Sequence, residues 1–237
     1  MTIAAQAIVR RATDLILDST SVRWPAAELV RWLNDAQREI ILFRPDAINR
    51  TTTATLAAGT RQNLDTLGLV PAPSKLIEIS RNMAAASTHK AVRLVPRQIL
   101  DAQQPNWHGL PGTVDILHYM FDARDPKTFY VYPPALATAQ LEVMYSGIPT
   151  DVTEPAAAAL YTDVSGAISL PDIYANALLD YILYRAYSKD SEFAGNAARA
   201  QAHYTAFTGA LTAEIQATLA VQPQLHPGAG AATRTGA

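Results

Sequence analysis

Residues 170–192, LPDIYANALLDYILYRAYSKDSE, constrain the fold more than any other stretch of this chain. Pro171 and Asp172 read as a helix start, with the Asp172 carboxylate placed to accept backbone N–H groups as an N-cap. From Ile173 to Tyr187 the side chains are mostly apolar or aromatic. Ile173, Ala177, Tyr181 and Tyr184 fall on one side, and Arg185 stands roughly opposite Asn176, so no broad polar face exists. A helix that is apolar nearly all round has to be covered nearly all round. In a chain of 237 residues that puts it at the centre of a bundle, or in a bundle with one side against another subunit. Arg185 needs a carboxylate partner or an exit to water. Asp35 and Glu39 of an earlier helix, solvent, and a neighbouring subunit all remain open to it.

The rest of the composition points the same way. Apolar residues make up 49%, ample for a core, while charged residues are only 17%, below the usual ~25%. Little charged surface favours association. The formal net charge of −2 argues against tight electrostatic binding of nucleic acid. The absence of cysteine removes disulfides, thiolate ligands and thiol nucleophiles together. No apolar run approaches the ~20 residues that span a bilayer. Arg10 and Arg11 stand where a signal peptide needs an apolar core, so no membrane or secretory route is expected.

Helical periodicity brackets a β-rich middle. Ile8, Ala12 and Leu15 mark a first helix over about residues 2–18. A second opens at Pro25 and carries Leu29, Leu33, Ala36, Ile40 and Phe43 before Pro45 stops it. Residues 51–56 read as a strand turning at Gly59-Thr60 into a return strand over 61–64. Residues 76–80 and 91–95 form a second candidate pair, and 96–103 a short helix. Strands follow over 114–121, 128–132 and 140–145, with a turn at 122–127 and Pro133-Pro134 as a stop. The last helix, about 191–220, carries Phe193, Ala197, Ala200, Tyr204, Phe207, Leu211 and Ile215. The expected fold is therefore α+β: a four-helix bundle made by the N- and C-terminal helix pairs, with a small antiparallel β-sheet or barrel inserted. The segments are 1–48 (first helix pair), 49–150 (β insertion), 151–169 (loop), 170–220 (second helix pair) and 221–237 (a flexible tail of Pro, Gly, Ala and Thr).

No catalytic signature is present: no P-loop, GxGxxG, GxSxG or HExxH. None of the five histidines has a second histidine three or four residues away, so no local metal site is expected. His108 and His118 could meet across strands; Asp151, Glu154 and Asp163 share a loop without a calcium-loop pattern. Trp24, Trp32 and Trp107, with Tyr119, Phe121, Phe129, Tyr130 and Tyr132, could make a stacking platform for sugars or bases. Without a basic surface they read instead as core. Lys90, Arg93 and Arg97 read as a solvated face. No enzyme activity, cofactor or metal is expected.

Several segments, taken in order, carry a family likeness: Trp24-Pro-Ala-Ala-Glu28-Leu29, Trp32 to Ile40 (WLNDAQREI), Arg44-Pro-Asp-Ala47, Gly59-Thr60-Arg-Gln62, Pro105-Asn-Trp107, Phe129-Tyr-Val-Tyr-Pro-Pro134 and residues 170–192. In this the chain resembles the head-to-tail adaptor, or connector, proteins of tailed phages over about residues 8–210. The resemblance implies a structural protein of the virion neck, assembled from parts made in the host cytoplasm. It implies a homo-oligomeric ring, typically of about twelve copies, since heterologous contacts that close generate rings. The partners it implies are the portal protein and a downstream tail or nozzle protein. Double-stranded DNA would pass through the channel without specific binding. The residues assigned to subunit or portal contact are Tyr181, Tyr184, Arg185 and Tyr187 on the apolar helix and Gln222, Leu225 and His226 in the tail. A tail-completion or stopper protein and a carbohydrate-binding tail module are the alternative readings.

Overall fold

Ala5, Ile8, Val9, Ala12 and Ile16 recur at helical spacing, and all five are buried in helix α1 (Ala5–Ile16). The buried face ends on Ile16 rather than Leu15, which is 54% exposed. The computed structural model describes residues 3–193 and 195–221. Leu17 closes α1 in a left-handed conformation (φ 57°), its N–H bonded to Thr13 O. The turn that follows is organised by one side chain. The Asp18 carboxylate accepts the backbone N–H groups of Val22, Arg23 and Trp24 at 3.1, 2.9 and 2.8 Å. Helix α2 (Ala26–Phe43) then starts directly after Pro25, whose fixed φ suits a helix entry. Leu29, Leu33, Ala36 and Ile40 are fully buried, while Phe43 is partly exposed.

The middle of the chain builds two sheets around a shared core. Its elements are β1 (Asn49–Thr55), β2 (Gly59–Asn63), β3 (Pro73–Asn82), β4 (Arg93–Leu94), α3 (Arg97–Gln103), β5 (His118–Asp122), β6 (Asp125–Ala135) and β7 (Gln140–Gly147). One sheet has the order β1-β7-β3 and the other β2-β6-β5-β4. Leu76, Ile79, Leu141, Val143 and Tyr145 of the first meet Tyr119, Phe129 and Val131 of the second. The arrangement among the described residues is a pair of packed sheets and not a barrel. It is also mixed, because β4 joins β5 in parallel.

Two local expectations fail here for identifiable reasons. β1 and β2 are not a hairpin. β1 pairs with β7 and β2 with β6, so the turn at Gly59 carries the chain from one sheet to the other. Pro133-Pro134 does not stop β6, which continues to Ala135. A proline breaks a ladder only where its missing N–H is needed, and here Pro134 contributes its carbonyl, which accepts Thr113 N at 2.8 Å. The segment 91–95 bonds β3 only at its start, through Val92 N to Ser80 O, before its end becomes β4.

Residues 148–171 return across α2 in largely irregular form and lead into α4 (Ala175–Lys189) and α5 (Asn196–Val221). Asp172 does not cap α4; it opens a short 3-10 turn, Asp172–Tyr174, and Ile173 is 71% exposed. α4 touches α1, α2 and α5, and only Asn176 and Lys189 on it are exposed. Side chains from all four helices, with Val152, Val164, Ile168 and Leu170 of the irregular segment, share one core. No described helix is long and apolar enough to cross a membrane.

Candidate assembly surface

α5 runs antiparallel along α4, and aromatic rings fill the seam. Tyr181 meets Phe207 at 5.2 Å between centroids, Tyr184 meets Tyr204 at 4.9 Å, and Tyr187 stacks on His203 at 5.7 Å. Phe43 of α2 adds an edge contact to Phe207 at 6.3 Å. Offset and edge-on pairs of this kind favour one packing over its alternatives. His203 Nδ1 also lies 2.9 Å from Asp180 Oδ1.

The lower end of the seam is pinned by a polar group of four. Tyr174 Oη donates to Glu214 Oε1 at 2.9 Å, and the buried Arg44 guanidinium lies 3.4 Å from the same carboxylate. Arg44 also grips Asp46 with Nε at 2.9 Å and Nη2 at 2.6 Å. The hydrogen bond from Arg44 holds the Asp46 carboxyl below its ordinary range and raises the guanidinium's own pKa. Burial, then the Glu214 carboxylate, pushes the Tyr174 phenol well above its usual value. A buried guanidinium with two carboxylates meets the condition for keeping a charge inside a protein.

The residues assigned to contact are thus dispersed in role. Tyr181 is buried in the chain's own core, and burial raises its pKa. Tyr184 and Tyr187 are half-buried against α5. Arg185 is half-buried with no ion pair among the described residues, so neither Asp35 nor Glu39 holds it. Asp35 instead pairs with Arg38. Gln222, Leu225 and His226 lie outside the described residues.

The outward side of α5 is the feature that residue spacing left unread. From Gln201 to Ala213 every exposed residue is uncharged, and most are small, with Ala202, Ala206, Gly209, Ala210 and Ala213 among them. The threonine hydroxyls there turn back on the helix: Thr205 bonds Gln201 O, Thr208 bonds Tyr204 O and Thr212 bonds Thr208 O. Only Asn196, Ala200, Phe207 and Leu211 are buried on this helix among the described side chains. Phe193 and Ala197, expected in the stripe, are exposed. The signal was available as an absence of charge on a helix that needs a wet face.

Other candidate chemistry is accounted for internally. His108 bonds Thr60 Oγ1 at 2.8 Å, whereas His118 stacks on Tyr132, so the two do not form a pair. Asp151 pairs with Arg38, Glu154 with Arg31, and Asp163 accepts Leu160 N. Asp122 is forked by Arg124 within its turn. Among the described residues no group of three or more potential ligands could hold a metal ion. Trp107 is fully buried, with Nε1 donating to Asp101 Oδ1 at 2.9 Å, so it offers no face for a sugar.

A comparison with characterised proteins finds no match. The model of one protein family, described as SU10 adaptor protein, matches residues 3–229. That span takes in the helical layer and both sheets. The chain belongs to the SU10 adaptor protein family, a family of structural phage adaptors.

Proposed function

We propose that this protein is the head-to-tail adaptor of a tailed bacteriophage. About twelve copies close into a ring below the portal, by heterologous contacts that repeat from one subunit to the next. The ring joins head to tail through the portal and a downstream tail or nozzle protein, and leaves a channel for DNA during genome ejection. The helices of the two chain ends work as a four-helix bundle that keeps the ring rigid. The protein acts as a virion part assembled in the host cytoplasm, and not as a catalyst.

One observation carries the reading beyond the family: the uncharged outward side of α5. A helix with water on that side gains from charged residues there, and this one has none between Gln201 and Ala213. A neighbouring copy is the occupant that fits it. Small side chains let two helices approach closely, and absent charges cost nothing to desolvate. Tyr184, half-buried against Tyr204 of α5, is a residue type that anchors interfaces. A formal net charge of −2 suits a channel along which DNA slides, because strong phosphate contacts would retard it.

The test is to mix the purified chain with the portal protein of the same virus and image the product by electron microscopy. The expected result is a ring of this chain on one face of the portal. Portal particles with nothing added, at concentrations where both proteins are folded, would contradict the proposal.

A further inference from the structure

β1 leaves a long sheet edge bare. Gly147 N donates to Ile48 O and Leu56 N to Ala139 O, each at 2.9 Å. Backbone groups alternate in direction along an antiparallel strand, so the even-numbered residues of β1 bond β7 and the odd-numbered ones point away. The outward N–H and C=O groups of Thr51, Thr53 and Thr55 have no partner among the described residues. The outward carbonyl of Asn49 receives Arg50 Nη1 at 3.3 Å. Residues 49–53 and Thr55 are all exposed. The pairing with β7 runs through seven residues without a register shift, so the edge is straight.

The other sheet edges are guarded. β2 is bulged after Gly59, and the Gln62 side chain folds onto the backbone of Ala57 and Gly59. β3 begins at a proline, shifts register three times, and is bonded by Lys90 and Val92 at its far end. β4 is two residues long and ends just before Pro96. Bulges, prolines and short strands are how sheets avoid unwanted pairing. This chain applies them to three edges and leaves a fourth straight, β-branched and open.

We propose that β1 accepts an extended strand from a different polypeptide, which adds itself to the sheet beyond β1 through main-chain hydrogen bonds. Pairing of β1 with the same edge of a second copy does not fit a ring. The one bare edge among the described residues is β1 itself, and β1 on β1 makes a two-fold pair that closes no ring. The inference rests on the adaptor reading for the donor's identity, which is a neighbouring protein of the neck. Arg50 is the only charged residue of β1 and forms no ion pair among the described residues, so the donor carries an acidic residue beside it.

The experiment measures amide hydrogen exchange on the full chain, alone and assembled with the portal and tail proteins of the same virus. Thr51, Thr53 and Thr55 exchange freely in the isolated chain and lose that fast exchange in the assembly. Thr53→Pro removes only an outward donor, so it leaves the β7 ladder intact and loses the strand donor. The wild-type exchange decides the matter whether or not that variant folds. If the wild-type chain joins the portal while these amides still exchange freely, the strand-acceptor inference falls and the adaptor reading stands. If it joins neither portal nor tail, both fall. Protection in the isolated chain that grows with concentration assigns the edge to a second copy and overturns the inference.

Discussion

Asn34 holds both backbone groups of Val152. Its Nδ2 donates to Val152 O and Val152 N donates to its Oδ1, each at 2.9 Å, inside the protein. One turn further along α2, Gln37 accepts Ser169 N at 2.8 Å and also donates to Asn34 Oδ1 at 3.3 Å. Two amide side chains thus tie an irregular segment to a helix, standing in for the strand that would otherwise satisfy its backbone. Asn34→Ala leaves a buried N–H and C=O without partners and is expected to cost about 2–4 kcal/mol. Denaturant unfolding of the two proteins measures it; a change within error contradicts the assigned role.

Asp18 does comparable work in the turn between α1 and α2. Three backbone N–H groups converge on its carboxylate. Bonds to a charged acceptor are stronger than neutral ones, so Asp18→Ala is expected to cost about 2–3 kcal/mol, measured by denaturant unfolding. Asp18→Asn keeps one acceptor oxygen and should fall between the two.

Alkaline pH should unfold the protein through its buried phenols. Burial raises the pKa of Tyr119, Tyr145, Tyr174 and Tyr181 above the ordinary value of 10.0. A group with a raised pKa in the folded state contributes stability that is complete below the unfolded value and lost as pH climbs through the folded one. Stability should therefore fall once pH passes about 10. Tyr174 is faced by Glu214, Arg44 and Asp46, and the Glu214 carboxylate reinforces the effect of burial. Tyr174→Phe should lose about 1 kcal/mol at neutral pH, from its hydrogen bond, and show a shallower alkaline limb. Unfolding curves at successive pH values test both parts.

Substitutions on the outward side of α5 should separate the monomer from the assembly. A Cβ added at Gly209 meets nothing within 4 Å. Gly209→Ala should stabilise the isolated chain by about 0.5–1 kcal/mol through helix propensity alone. Ala206→Glu puts a charge on the same exposed face and should leave monomer stability within about 0.5 kcal/mol of wild type. It should abolish ring formation on the portal, read by sedimentation and microscopy. A ring that forms normally with Ala206→Glu would place the subunit contact elsewhere.

The sequence made some of this legible and hid the rest for physical reasons. The burial of α4 follows from its composition, because a helix without a polar face has few places to lie. The burial of Trp107, on a short 3-10 turn, and of Phe129, on β6, likewise follows from clustered aromatics without a basic surface. Strand partners were another matter. Gly59-Thr60 signals a turn, and a turn between strands of one sheet uses the same residues as a turn between two sheets, so β1 and β2 read as a hairpin. The clamp at Asn34 carried a signal that went unread: Asn34 and Gln37 stand beside Leu33, Ala36 and Ile40, on a face that is otherwise apolar. Leu15 and Phe193 show the limit of stripe-counting near helix ends, where one residue of slip turns a side chain out to solvent.

The most direct measurement is electron cryo-microscopy of this chain assembled with its portal, at a resolution that traces helices. The expected result is a closed ring in which the outward side of α5, from Gln201 to Ala213, lies against the next copy. A ring with that face open to water, or a chain that binds the portal without meeting another copy, would contradict it.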